Sequence, residues 1–213
     1  ATQCGRIDGF IKDFSFLKRE NKVGGTKNVS KEHVLKNCKV PEGFFYERRS
    51  VRAYNEEDID IKVIEKCIDK ALYGTPTVCN RNINKVVVVK DQALKKEILS
   101  HQNGNRGFGE YANTILIAAT DLQAFQDINE RKQPYIGGGM FSMSLIYALY
   151  SEGIATCSLN WDVDHRLEEE LKKKLGLQNH AVMMYIAAGY QKEEYPVAIS
   201  TKLTLNEVIL KVY

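Results

Sequence analysis

Several familiar signatures are missing from this chain, and each absence removes a class of function. No apolar run approaches the length of a membrane span, and the N-terminus carries no signal-peptide core. The 30 Lys and Arg are nearly matched by 27 Asp and Glu, for a net charge of +3. That balance is too even to point to nucleic acid. Five cysteines (Cys4, Cys38, Cys67, Cys79, Cys157) are scattered without a Cys-x-x-Cys pair, and His33, His101, His165 and His180 lack metal spacing. No metal is therefore expected, and reduced thiols in a cytoplasmic protein are the natural reading. The sequence also begins without methionine, as a processed chain or a piece of a longer protein would. What remains is 213 residues, 44% hydrophobic and 27% charged, enough chain for a real core in an ordinary globular domain.

Hydrophobic periodicity outlines the elements. Residues 1–40 are polar and weakly periodic, and are expected to form an N-terminal extension of short helices with no assigned role. A boundary near Pro41-Glu42-Gly43 opens the main domain, 41–213. Asp60 caps a helix whose stripe of Ile61, Ile64, Cys67, Ile68, Ala71 and Leu72 faces a core, and Gly74 and Pro76 stop it. Val86 to Val89 reads as a buried strand, followed by a helix over 92–100. The Asn- and Gly-rich stretch 101–110 reads as a mobile loop before a second strand, 114–119. Gly137-Gly138-Gly139 opens a long apolar helix that ends at Gly153. The glycines serve either close packing or an anion cradle. A third strand is expected over 154–159, a charged helix from Asp164 to Leu175, a fourth strand over 181–188, and a short helix plus one more strand in the tail 202–213. Such alternation without repeats indicates one layered α/β or α+β domain.

The most informative stretch is Arg48-Arg49-Ser50-Val51-Arg52. Guanidinium groups offer planar forks of donors that match phosphate oxygens, and serine adds a short donor. The pentad is either a phosphate clamp or a solvated basic loop. Thr75-Pro76-Thr77-Val78-Cys79-Asn80-Arg81-Asn82, between a helix end and a strand, is either the polar rim of a cofactor site or a capping turn. Cys79 in that loop is expected to be a buried small residue, and Trp161 either a stacking platform or a core anchor.

Taken in order, an Arg-x-Ser-x-Arg element, a helix, and Pro-Thr-x-x-Asn before a strand resemble the nitroreductase family of FMN-dependent enzymes. Gly153-Ile154-Ala155-Thr156-Cys157-Ser158-Leu159-Asn160-Trp161 is similar to that family's strand after its central helix. Ala187-Ala188-Gly189-Tyr190 resembles its closing strand and turn, and Ser200-Thr201-Lys202-Leu203-Thr204-Leu205-Asn206-Glu207-Val208 resembles its basic tail motif. The likeness runs from about Phe44 to Val212. Where the family has Arg in the tail this chain has Lys202, where it has Gln it has Asn82, and the Trp that usually follows is absent.

The resemblance implies an α+β three-layer sandwich, a mixed central sheet flanked by helices, in an intertwined homodimer. It implies FMN held by Arg48, Ser50 and Arg52 at the phosphate and ribityl chain, with Arg49 a phosphate ligand or solvent-facing. Thr77, Val78 and Asn80 would line the isoalloxazine from the second subunit. Leu159, Asn160 and Trp161 would lie against the ring, Lys202 would reach the phosphate, and Asn105 is a further ribityl candidate. The implied activity is NAD(P)H oxidoreduction through flavin N5 onto a small electron-poor acceptor, nitroaromatic or quinone-like, in a ping-pong cycle. Chemistry of that kind needs no catalytic side chain. Two other readings stay open: a specialised flavin-dependent dehydrogenase or reductase of a biosynthetic pathway, and a non-enzymatic phosphate-binding interaction module.

Overall fold

Charged caps and apolar stripes place the elements much as the periodicity predicts. The computed structural model describes residues 28–213, so Cys4 and most of the N-terminal extension lie outside the described residues. In the unit ending at Phe44, helix α1 (Lys31–Asn37) is capped by the Ser30 hydroxyl and is exposed throughout. The second unit starts at Phe45. A short helix α2 (Gly43–Glu47) leads to α3 (Ile61–Gly74), capped by Asp60 and burying Ile64, Cys67 and Ala71. There follow β1 (Asn84–Val89), α4 (Gln92–Ser100), β2 (Thr114–Asp121), α5 (Gln133–Ser151), β3 (Ala155–Leu159), α6 (His165–Lys174), β4 (His180–Gly189) and α7 (Leu205–Val208).

The four strands form one sheet in the order β1-β2-β4-β3, and every pairing is antiparallel. The parallel component of the expected mixed sheet is confined to one bridge, Ser50 to Thr156, outside the named strands. Strand alternation splits the core in two. Ile115 and Ile117 of β2 face α4 and α6, packing with Ile98, Leu99 and Leu171. Leu116 faces α3 and α5, packing with Ile64, Phe141 and Leu145. Helices on both faces of one sheet make the three layers.

The β2–β4 register slips between Ala118 and Ala119, which face Met184 and Val182 and leave Met183 as the extra residue of a bulge. The bulge reverses which face the β4 side chains take. Val182 packs with the α4/α6 core, and Met184, also even-numbered, packs with the α3/α5 core.

Three element-level expectations are corrected. Helix α5 starts at Gln133, with Pro134 in its first turn, rather than at Gly137. Gly137 and Gly138 are there for contact: a Cβ on Gly137 would lie 2.7 Å from Ile83 Cδ1, and one on Gly138 2.5 Å from Met183 and Thr120. Strand β1 is half-buried along its middle because it is a sheet edge. The tail carries α7 but, among the described residues, no further strand. The loop over 101–110 is built of turns tied together by side-chain amides. No helix among the described residues is long and apolar enough to cross a membrane.

Candidate functional site

The basic pentad is an extended strap laid along the outer edge of β3. The Val51 amide donates to Thr156 O at 2.9 Å, beside the Ser50–Thr156 bridge. The strap then crosses to the end of β4, where Asn55 N donates to Tyr190 O at 2.8 Å and Lys192 N to Ala53 O at 3.2 Å. Two buried side chains pin it. Val51 enters the core, and Tyr54 donates its hydroxyl to Val51 O at 2.8 Å. Burial pushes the Tyr54 phenol up, with Cys157 adding to the rise and Arg52 opposing it. Gly189 makes room for this ring, since a Cβ there would stand 2.7 Å from Tyr54 Cδ1.

With Val51 and Tyr54 facing inward, the arginines face outward or along the surface. Arg48 is half-buried, while Arg49 and Arg52 are exposed. Arg49 folds back on its own backbone, donating to Arg48 O at 3.0 Å and to Tyr46 O. Arg52 holds its guanidinium carbon 5.6 Å above the Phe108 ring. Neither Arg48 nor Arg52 has a hydrogen-bonded or ion-paired partner among the described residues. By contrast, Arg81 pairs with Glu130 at 2.9 Å and Arg166 with Glu170 at 3.2 Å. Arg48 and Arg49 line a cleft of about 390 Å³ with Thr156, Gly153, Gln191 and Tyr195. Glu47 also lines this cleft but forms no ion pair with Arg48, so the Arg48 guanidinium keeps its donors for an anionic ligand.

A second polar group adjoins the strap through Phe108, whose backbone amide donates to Asn105 O at 3.2 Å. Asn105 spends its side-chain NH2 on Leu99 O at 2.7 Å, on Gln102 Oε1 at 3.0 Å and on Gln102 O. Gln102 in turn donates to Asn160 Oδ1 at 2.6 Å and to Asn160 O at 3.2 Å. The structure thus joins three expected residues (Arg52, Asn105 and Asn160) through two that sequence reasoning missed, Gln102 and Phe108. A glutamine in a Gly-rich loop carries no spacing signal that would single it out.

Leu159 is buried at the end of β3. Trp161 behaves as an anchor, donating Nε1 to Glu168 at 3.2 Å and lying 4.9 Å from the Tyr185 ring. Thr77, Val78 and Asn80 keep their backbone bonds within their own turn: Asn80 N donates to Thr77 O at 3.0 Å and Arg81 N to Val78 O at 3.0 Å. No hydrogen bond or ion pair of the described residues joins that turn to the strap. Cys79, expected to be buried, is exposed, and both it (φ 50°) and Asn80 (φ 54°) sit in the left-handed region. The tight turn, not core packing, sets the position of Cys79. Lys202 is exposed on the tail. No cluster of His, Cys, Asp and Glu suited to a metal ion occurs among the described residues.

Comparison with known proteins bears on the sequence pattern and on the fold. The Nitroreductase family model matches residues 46–106, the span from the pentad into the Gly-rich loop. No curated protein matches the sequence. Among solved structures, a nitroreductase family protein from Streptococcus pneumoniae TIGR4 is similar at 17% identity and TM-score 0.68, over 79% of this chain and 98% of that one. An FMN-dependent nitroreductase from Clostridium difficile R20291 is similar at 18% identity and TM-score 0.63, over 80% and 96%. A Staphylococcus epidermidis protein provisionally named an NAD(P)H:FMN oxidoreductase is similar at 15% identity and TM-score 0.67, over 87% and 98%. The layered α+β fold is thus the nitroreductase fold. The family's sequence pattern is matched over 46–106, and the solved structures at 15–18% identity share the fold.

Proposed function

We propose that this protein is an FMN-dependent oxidoreductase that takes electrons from NAD(P)H and delivers them to a small, electron-poor organic acceptor of nitroaromatic or quinone type. One observation carries the reading: Arg48 and Arg52 flank Ser50 on a strap fixed to β3, and neither guanidinium pairs with a carboxylate among the described residues. A terminal phosphate carries about two negative charges and accepts hydrogen bonds on each oxygen, so the donor set fits FMN. The cleft of about 390 Å³ beside Arg48 and Arg49 gives it room. The similar proteins from C. difficile and S. epidermidis are both named for FMN.

In this reading Arg48, Ser50 and Arg52 hold the phosphate and ribityl chain, with Lys202 as a further cation. Arg49 is expected to contribute less because its Nη1 is already engaged with the carbonyls of Tyr46 and Arg48. Leu159, Asn160 and Trp161 border the ring, and the buried neighbours of Trp161 exclude water from that side. When bound, FMN supplies hydride exchange between a nicotinamide and the acceptor, each occupying the same face in turn.

The reading includes a homodimer in which Thr77, Val78 and Asn80 serve the partner's site, which accounts for their separation from the strap within one chain. The tail supports it: Ile199 is 98% exposed and Leu210 92%. Apolar side chains so far out of their own core call for cover by another copy. Residues 41–213 form the FMN-binding domain, residues 1–40 an extension, and the protein acts in the cytoplasm.

The test is direct. Titrating the purified chain with FMN should give saturable binding and a yellow complex, bleached by NADH or NADPH under anaerobic conditions. A colourless protein with no saturable binding overturns the proposal, and light scattering that reports a monomer overturns the dimer.

A further inference from the structure

The geometry points to Gln102 as a positioning residue that fixes which end of the Asn160 side-chain amide faces the proposed flavin site. It rests on the reading of that site given above. An exposed asparagine at a strand end can present either a donor or an acceptor, because its oxygen and NH2 are nearly isosteric. Here the choice is made by backbone carbonyls, which can only accept.

The chain of amides starts at Asn105. Its NH2 meets Leu99 O at 2.7 Å and Gln102 O, so the donor end must point there. The same NH2 also meets Gln102 Oε1 at 3.0 Å. Gln102 must therefore send its own NH2 the other way, toward Asn160. A third carbonyl enforces this independently, for Asn160 O lies 3.2 Å from Gln102 Nε2. The remaining contact, Gln102 Nε2 to Asn160 Oδ1 at 2.6 Å, turns the Asn160 oxygen inward and its NH2 outward. Reversing the polarity would set carbonyl against carbonyl at Leu99 and at Asn160.

Burial makes the setting firm. Gln102 is 4% exposed, so water competes little for its amide. The backbone closes tightly over it, as a Cβ on Gly104 would lie 2.8 Å from Gln102 Nε2. Asn160 is exposed, and only its donor end is free. The edge of the site therefore offers an N–H to a ligand atom that is a hydrogen-bond acceptor. Such a donor stabilises a group that gains negative charge more than its neutral form, so it favours reduced over oxidised cofactor.

Gln102→Glu reverses the setting with little change of shape. One carboxylate oxygen still accepts from Asn105, while the other, set against Asn160 O and Oδ1, repels both and draws the Asn160 NH2 inward, leaving Oδ1 outward. In the FMN-loaded chain this should lower the affinity for reduced FMN relative to oxidised FMN roughly tenfold, the scale of one hydrogen bond, read as a downward shift in midpoint potential. Oxidised FMN should bind within about threefold of the unchanged protein. An unaltered potential in Gln102→Glu overturns the inference.

A second measurement needs no flavin. In the full-length chain labelled with nitrogen-15 at glutamine and asparagine side chains, the Gln102 NH2 should exchange with solvent slowly and the Asn160 NH2 rapidly. A protected Asn160 NH2 with a freely exchanging Gln102 NH2 overturns the inference even if Gln102→Glu does not fold. A chain that binds no FMN removes the proposed function, while this exchange pattern still decides the polarity.

Discussion

Met183 and Gly138 meet where no side chain fits between them: a Cβ on Gly138 would stand 2.5 Å from both Cγ and Sδ of Met183. The bulge of β4 and the first turns of α5 thus approach closely at Gly138. Gly138→Ala is expected to destabilise by about 1–3 kcal/mol, the usual cost of overpacking. Gly139, one residue on, has nothing within 4 Å of its Cβ position, so Gly139→Ala should stabilise by about 0.5–1 kcal/mol through helix propensity. Urea unfolding of the pair checks the sign of each. Equal effects would refute the packing account.

The arginines of the strap are expected to differ in worth. Arg48→Ala should weaken FMN binding by about 1.5–3 kcal/mol, the scale of a charged hydrogen bond. Arg49→Ala should cost clearly less, since its guanidinium is bound to the carbonyls of Tyr46 and Arg48. Titration of both variants by flavin fluorescence decides it, and a larger loss at Arg49 would reassign the phosphate.

Thiol chemistry should sort the cysteines by burial. Cys38 and Cys79 are exposed, whereas Cys67 and Cys157 are buried. Burial also pushes both buried thiols above their ordinary range, which further starves them of thiolate. In a Cys4→Ser background, a disulfide reagent at pH 8 should label Cys38 and Cys79 promptly and spare Cys67 and Cys157 until denaturant is added. Mass mapping that finds Cys157 labelled in the native chain would contradict the packing of β3.

On the acid side, two carboxylates tie stability to pH. Glu130 is held below its ordinary value by its bond from Arg81, and Glu152 by bonds from Lys70 and Lys66. For a carboxylate whose folded pKa is depressed, the contribution is present above the ordinary value of 4.5 and is lost as pH falls through the lower folded value. Glu152→Gln should flatten that acid limb and change little above it. The group is solvent-accessible, so added salt should shrink the difference. Thermal melts from pH 3 to 7 at two salt concentrations are the measurement.

How much was legible in the sequence depends on how local each cause is. The Asp60 cap, the stripe of α3 and the apolar runs of β2 and β4 act over a few residues, and those elements lie close to their expected places. Pentad and Gly189 were readable as parts of an ordered set, and the strap meets the start of β3 and then the end of β4. The start of α5 was misplaced because Gly137 and Gly138 answer to Ile83 and Met183, partners distant in sequence. Gln102 was invisible for the same reason, since its partner Asn160 is 58 residues away. Exposure of Cys79 follows from a left-handed turn that residue type alone does not announce.

The strap at 50–51 has a consequence unconnected with ligands. Strand β3 pairs with β4 on one side only, and its other side is met by Ser50 and by the amide of Val51. A bare strand edge invites other chains to add themselves in register, and the arginines just outside it would repel a second copy of the same segment. Discouraging aggregation and the proposed anchoring of a phosphate thus fall to one short stretch. A chain that lost its hold there would be expected to clump before it failed to bind.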